Sequence, residues 1–192
     1  MKTQEDLKYI DSILAGDTDA FTALVNKYKD MVFTIIVKIV GNEADAEELS
    51  QDVFLKVYHS LGSFKRESRF STWIYRIAYN ASITKTRKKK LETQALNHEV
   101  VESYTQDDIQ ENIYTLTPQQ QKSFIDKVLT SLPENDYVMI TLYHKEDCSV
   151  KDISEITGLS ESNVKVKLHR IRKRMQKEMN QLMNEHLISR KS

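Results

Sequence analysis

Basic side chains and aromatic rings, set at helical spacing, carry the chemistry this sequence can offer. In ESNVKVKLHRIRKRM, residues 161–175, Ser162, Lys165, Val166, His169, Arg170 and Lys173 fall on one side of a helix. Lys167, Arg172 and Arg174 flank that side, while Val164, Leu168, Ile171 and Met175 share the opposite one. A helix so divided can lay its apolar edge on a neighbour and hold donors outward, as a major-groove reader does. Lys165 and His169, in its N-terminal half, are candidates for base edges, and Val166 for a thymine methyl. Arg170, Arg172 and Lys173 are placed to neutralise phosphates, contacts that position a helix without reading sequence. A solvated basic face in a helical bundle would show the same charge run. The residues just before it favour the reader: Ser149 and Asp152 have capping-box spacing, Val150, Ile153 and Ile156 face inward, Gly158 supplies a turn, Leu159 plugs the corner and Ser160 caps the next helix.

A second constellation lies earlier, in SFKRESRFSTWIYRIAYN at 63–80. From Lys65 through Lys90 there are nine basic residues and one acid, Glu67, a net of +8. Phe64, Phe70, Trp73, Tyr75 and Tyr79 are interleaved with them, and Trp73, Arg76 and Asn80 share a helical face. Rings inside a positive groove are what stack the bases of a single strand. The rings could instead be core, a reading as strong as the other for Tyr75 and Tyr79. A third set is acidic: Asp45, Glu48 and Asp52 form a stripe with Gln51 beside it. Like charges at this spacing repel, so the stripe does not help its own helix. It is either an exposed face kept for solubility or a docking surface for a basic partner.

No phosphate loop, evident paired-carboxylate metal site or nucleophile motif is present. His144 and Cys148 are spaced as two ligands could be, but nothing clusters with them, so neither metal nor cofactor is expected and the chain is not read as an enzyme.

The elements that must position these groups are helices. The chain has 192 residues with only 4 glycines and 2 prolines, and 28 basic residues balance 28 acidic ones. Few turn formers argue for an all-α chain. One cysteine, Cys148, excludes an intramolecular disulfide and fits a reducing cytosol. The start, MKTQEDLKYI, lacks the apolar core of a signal peptide, and the most apolar run, MVFTIIVKIV at 31–40, is interrupted by Lys38 and too short to span a bilayer. A cytoplasmic protein without membrane insertion is expected.

Apolar periodicity predicts four helices in the N-terminal half. The first covers 5–15 with Leu7, Ile10 and Leu14 inward. The second is capped by Thr18 and carries Phe21, Leu24, Val25, Tyr28, Val32, Ile35, Ile36 and Ile39 up to Gly41. The third starts at Asn42, buries Ala46, Leu49, Val53 and Val57, and stops at Gly62. The fourth starts near Ser71 or Thr72 and runs into TKTRKKK. Residues 92–121 hold six acids, no Lys or Arg and no apolar period, and read as a tether. Thr117, Pro118 and Gln120 then open a further helix with Phe124, Val128 and Leu132 buried, and Pro133 starts another. Two small helical domains follow, 1–91 and 122–192, joined by the acidic linker and the second ending in a helix-turn-helix.

The segments DAEELSQDVFLKVYHSL at 45–61 and SFKRESRFSTWIYRIAYNASI at 63–83 resemble the second conserved region of bacterial sigma factors, in the extracytoplasmic-function (ECF) class of the sigma-70 family. SLPENDYVMITLYHKEDCSVKDISEITGLSESNVKVKLHRIRKRM at 131–175 resembles that family's fourth region. The resemblance implies a transcription initiation factor that binds core RNA polymerase, directs it to promoters through minus-35 and minus-10 elements, and promotes melting. It places the polymerase clamp contact on Glu48, Gln51 and Asp52 with Asp45 nearby. It places capture of a flipped minus-10 base on the loop Phe64, Lys65, Arg66, Ser68, Arg69 and Phe70, the melted strand along Trp73, Arg76 and Asn80, and the minus-35 helix on Ser162–Lys173. The family often has a Gly-Asp pair where Arg66 and Glu67 stand, and a small polar residue where Val166 stands. An anti-sigma factor is a further partner the resemblance implies. A conventional helix-turn-helix regulator is the alternative. It shares residues 149–175 but leaves the acidic stripe and the aromatic-basic segment without a role.

Overall fold

The structure, a computed structural model, describes residues 2–92 and 117–189. Its regular elements, among the described residues, are all helical: α1 (Lys2–Leu14), α2 (Asp19–Val40), α3 (Glu43–Ser60), a 3-10 turn (Leu61–Ser63), α4 (Phe70–Glu92), α5 (Pro118–Ser131), α6 (Glu134–His144), α7 (Val150–Thr157) and α8 (Glu161–Ser189). The all-α class is as expected. The acidic tether falls, for residues 93–116, outside the described residues.

In the N-terminal unit α2 is the centre. Leu24, Tyr28, Met31, Val32, Ile35, Ile36 and Ile39 are buried along it, and α1, α3 and α4 pack around it. Several local expectations shift. Thr18 does not cap α2; Asp17 does, its Oδ1 accepting from the N–H groups of Asp19 at 3.0 Å and Ala20 at 3.3 Å. The buried stripe of α1 is Asp6, Ile10 and Ile13, while Leu14 is 53% exposed and Leu7 half-buried. A carboxylate can occupy that stripe because it is paired: Asp6 accepts from Tyr28 Oη at 2.7 Å and from Lys27 Nζ at 2.5 Å. Leu49 of α3 is only partly buried. That helix ends at Ser60 in the 3-10 turn, short of Gly62, and α4 begins at Phe70, just ahead of the expected start. Asn42 caps α3 as expected, accepting from the Asp45 N–H at 2.9 Å.

The C-terminal unit follows its sequence signals closely. Thr117 with Gln120, and Ser149 with Asp152, form reciprocal capping boxes. Gly158, at φ 74°, makes the left-handed turn that a side chain would strain. Ile153 and Ile156 of α7 meet Val164, Leu168 and Ile171 of α8, all buried. Helix α8 continues past its exposed basic face and packs on α5, with Met183 buried.

The two units share one continuous core. Helix α4 lies against α7, and α2 against α6. Cys148 is buried, and burial pushes its thiol up to about 12.

Candidate nucleic-acid interface

The loop between the 3-10 turn and α4 rests on an aromatic floor. Phe64 and Phe70 are 8% and 1% exposed, their ring centroids 5.6 Å apart, and each lies under Trp73 at 5.2 and 5.7 Å. Tyr28 and Tyr75 extend the floor. Burial removes Phe64 and Phe70 from the surface. Their rings support the loop, and of the two only Phe64 lines the cleft above it. Tyr75 is likewise core, while Tyr79 is half-buried.

Above this floor opens a cleft of about 300 Å³, bordered by Lys65, Arg66, Glu67, Ser68, Trp73 and Arg76 from the N-terminal unit, together with Ser63 and Phe64, and by Glu155 from α7. Arg66 holds a left-handed backbone, φ 60°, uncommon for a residue with a Cβ, and its guanidinium pairs with Asp11 of α1. Trp73 is half-buried, and Arg76 and Asn80 are exposed on the same face of α4. A cavity with two rings, three cations, two carboxylates and hydrogen-bonding side chains can take a flat polar group with phosphate attached.

Arg69 is the loop residue whose environment differs most from expectation. Its guanidinium donates to the carboxylate of Asp152, in the other unit, and to the Asp147 carbonyl at 3.2 Å. Asp152 also accepts from Thr72 Oγ1 at 2.8 Å, and from the Ser149 N–H at 2.8 Å and Oγ at 2.6 Å. Burial works against its charge, but the bonds from Ser149, Arg69 and Thr72 outweigh that and hold the carboxyl at about 2.

The acidic stripe is divided. Gln51 and Asp52 are exposed on α3. Asp45 and Glu48 face Lys85 of α4, at 3.1 and 3.0 Å. The hydrogen bond to Glu48 is the main reason the Lys85 ammonium is held above its ordinary range. Lys85 therefore belongs to the acidic face, although sequence alone groups it with the basic segment 84–90. On α8, Ser162, Lys165, Val166, His169 and Arg170 are exposed, with Val166 at 48%. Lys173 is half-buried, and Arg172 lies over the Tyr143 ring, 4.9 Å from its centroid.

Sequence reasoning missed Lys85, Asp11, Glu146 and Glu155, and saw Asp152 only as a cap. The capping box was visible; the second use of the same carboxylate depends on α4 and α7 meeting, which no local pattern encodes.

No helix among the described residues is long and apolar enough to cross a membrane. Family models match the chain twice, Sigma-70 region 2 over residues 24–92 and Sigma-70 region 4 over residues 122–175. The ECF RNA polymerase sigma factor SigW of Bacillus subtilis is 31% identical over 182 residues, covering 91% of this chain and 97% of that protein. The RNA polymerase sigma-H factor of Pseudomonas aeruginosa is 28% identical over 192 residues, covering 96% of this chain and all of that protein. Among solved structures, the sigma factor RpoE from Bartonella quintana, in complex with the anti-sigma factor NepR, matches with TM-score 0.60 at 22% identity, over 83% of this chain and 96% of that one; it shares the fold. With both sigma-70 regions present in order and an ECF relative matched along nearly its whole length, the chain belongs to the sigma-70 family of bacterial RNA polymerase sigma factors, in its ECF class.

Proposed function

We propose that the chain is a promoter-specificity subunit of bacterial RNA polymerase. Its three surfaces divide the work. The α3 stripe, Glu48, Gln51 and Asp52 with Asp45, docks on basic surface of the polymerase. The cleft of Lys65, Arg66, Ser68 and Trp73, continued by Arg76 and Asn80, takes the melted minus-10 strand. Phe64 and Phe70 serve that strand from beneath, as the floor. Helix α8 reads the minus-35 duplex with Lys165, Val166 and His169, while Ser162, Arg170, Arg172 and Lys173 hold the backbone. The observation that supports this reading is the joining, in one chain, of a helix with an exposed basic face to a cleft lined by Lys65, Arg66 and Arg76 with Phe64 and Trp73 as aromatic wall. A duplex regulator needs only the first.

Bond-making chemistry belongs to the polymerase in this scheme, and the chain works in the cytoplasm, where the polymerase is. The Bartonella relative was solved with an anti-sigma factor. This chain is assigned a partner of that kind. Co-purification with core polymerase tests the scheme. The chain should form a stoichiometric complex that survives gel filtration, and Glu48→Lys with Asp52→Lys should abolish it. A chain that binds promoter duplex but no polymerase would be a conventional regulator instead.

A further inference from the structure

The loop ahead of α4 is anchored at its two ends and held at one point between them. Phe64 and Phe70 sink into the aromatic floor, while Lys65, Arg66 and Glu67 are exposed. Among the described residues, 65–68 make a single polar contact: the guanidinium of Arg66 donates to the Asp11 carboxylate of α1. Arg66 is also where the loop turns, with φ 60°. A residue with a Cβ enters that left-handed region roughly tenfold less readily than the right-handed one. The tether from α1 therefore acts on the backbone angle that its own residue disfavours.

Asp11 gains nothing locally from its position. It lies in the last turn of α1, which carries no basic residue, and the helix macrodipole disfavours a carboxylate there. The guanidinium of Arg66 supplies the positive charge that the helix end lacks. Leu14, exposed as it is, rests beside the 3-10 turn, where a Cβ built on Gly62 would lie 3.9 Å from its Cδ2. The end of α1 is thus braced on the entrance of the loop while Asp11 holds its apex. Lys65, Arg66 and Glu67 border the cleft, so the turn at Arg66 sets where two cations and a carboxylate stand on its rim.

We propose that Asp11 is a positioning residue for minus-10 recognition: by pairing with Arg66 it holds the left-handed turn that shapes the rim of the base cleft, which makes α1 part of the promoter-reading apparatus. The proposal rests on assigning the melted strand to this cleft, as above. An exposed ion pair shifts a local equilibrium by about two- to fivefold. That is too little to decide whether the chain folds and enough to be read in base selection.

Core polymerase with the full chain transcribes a library randomised across the minus-35 and minus-10 regions, and base enrichment is scored at each position. Asp11→Asn removes the charge at nearly constant shape. Asp30→Asn, exposed on α2, changes net charge equally and is the control. Asp11→Asn should lower enrichment at one or two positions of the minus-10 block by about two- to fivefold, with the minus-35 block and the control unchanged. Asp11→Glu, which keeps the carboxylate, should restore most of the lost enrichment. Arg66→Gly shows whether Asp11 acts through the turn, since glycine enters the left-handed region without a Cβ penalty. In that background Asp11→Asn should have no further effect.

Undiminished enrichment in Asp11→Asn would overturn the proposal. So would an equal loss in the wild-type and Arg66→Gly backgrounds, because Asp11 would then act without Arg66. Lower transcript yield with unchanged base preferences would make the end of α1 a structural support only, and overturns it too. If the wild-type chain selects no minus-10 block, the assignment of the strand to the cleft is wrong and the proposal falls with it. A wild-type block that ignores Asp11 leaves that assignment standing and removes the proposal alone.

Discussion

Helices α4 and α8 are both assigned to DNA, yet they stand in opposite states. On α8, Lys165, His169 and Arg170 project into solvent, and the opposite edge is sealed by Val164, Leu168 and Ile171. At the start of α4, Arg69 and Thr72 are bonded to Asp152, and Tyr75 to Glu146. A duplex reader needs no preparation, since the major groove is always open to a folded helix. A reader of melted strand is useful only after melting, and a surface that bound single strands indiscriminately beforehand would be a liability. The acidic stripe of α3 is intermediate, with Asp45 and Glu48 held by Lys85 while Gln51 and Asp52 face solvent.

The largest expected effect is on that intermediate surface. Each charge-assisted contact contributes about 1.5–3 kcal/mol, so Glu48→Lys with Asp52→Lys should reduce core-polymerase affinity by at least about a hundredfold. Duplex binding by α8 should be unchanged in the same protein. Affinity titrations of both partners check this, and a parallel loss of duplex binding would mean that the surfaces are not independent.

Next comes the strand surface. Trp73→Ala should reduce open complexes more than closed ones, because a stacked base contributes about 1–3 kcal/mol only once the strands have separated. Permanganate reactivity of unpaired thymines measures it. Equal loss of both complexes would return Trp73 to a purely structural role over Phe64 and Phe70.

The open face of α8 separates base from phosphate contacts at similar magnitude. Lys165→Ala should cost about 1–3 kcal/mol on the preferred minus-35 sequence and much less on a scrambled one. Arg172→Ala should weaken both alike and lower the salt slope by about one. Arg172 is steadied by Tyr143, so Tyr143→Ala should have a weaker effect of the same kind.

The smallest effect is a pH dependence. Asp152 is held at about 2, below the ordinary carboxylate value, so it binds protons more weakly folded than unfolded. Its contribution, about 1–2 kcal/mol, is therefore present above about pH 4 and is lost as pH falls toward 2. Asp152→Asn should be less stable than wild type at neutral pH, and the difference should close across that interval, followed by the emission of Trp73, the chain's one tryptophan. A constant difference would assign the loss to shape and not to charge.

What the sequence disclosed follows the same division. Nearest-neighbour rules were sufficient for α7 and α8. Their caps, Gly158 and the four-three spacing of Val164, Leu168 and Ile171 all stand as read. They failed where a distant partner decides. Asp6 sits in a buried stripe because Tyr28 and Lys27 reach it, and Ile13, not Leu14, completes that stripe. Lys85 left the basic segment for α3, and Phe64 and Phe70, read as loop contacts, are the loop's floor. The seam between α4 and α7 left no periodic trace, since a carboxylate that caps its own helix looks the same whether or not an arginine from elsewhere also uses it.

Transcription in vitro tests the central claim most directly. Core polymerase, with and without the chain, is given a library randomised across the minus-35 and minus-10 regions, and the transcribed promoters are sequenced. The account predicts starts that depend on the chain and converge on two sequence blocks, with Lys165→Ala relaxing only the upstream block. Starts that do not depend on the chain, or convergence on a minus-35 block alone, would contradict it.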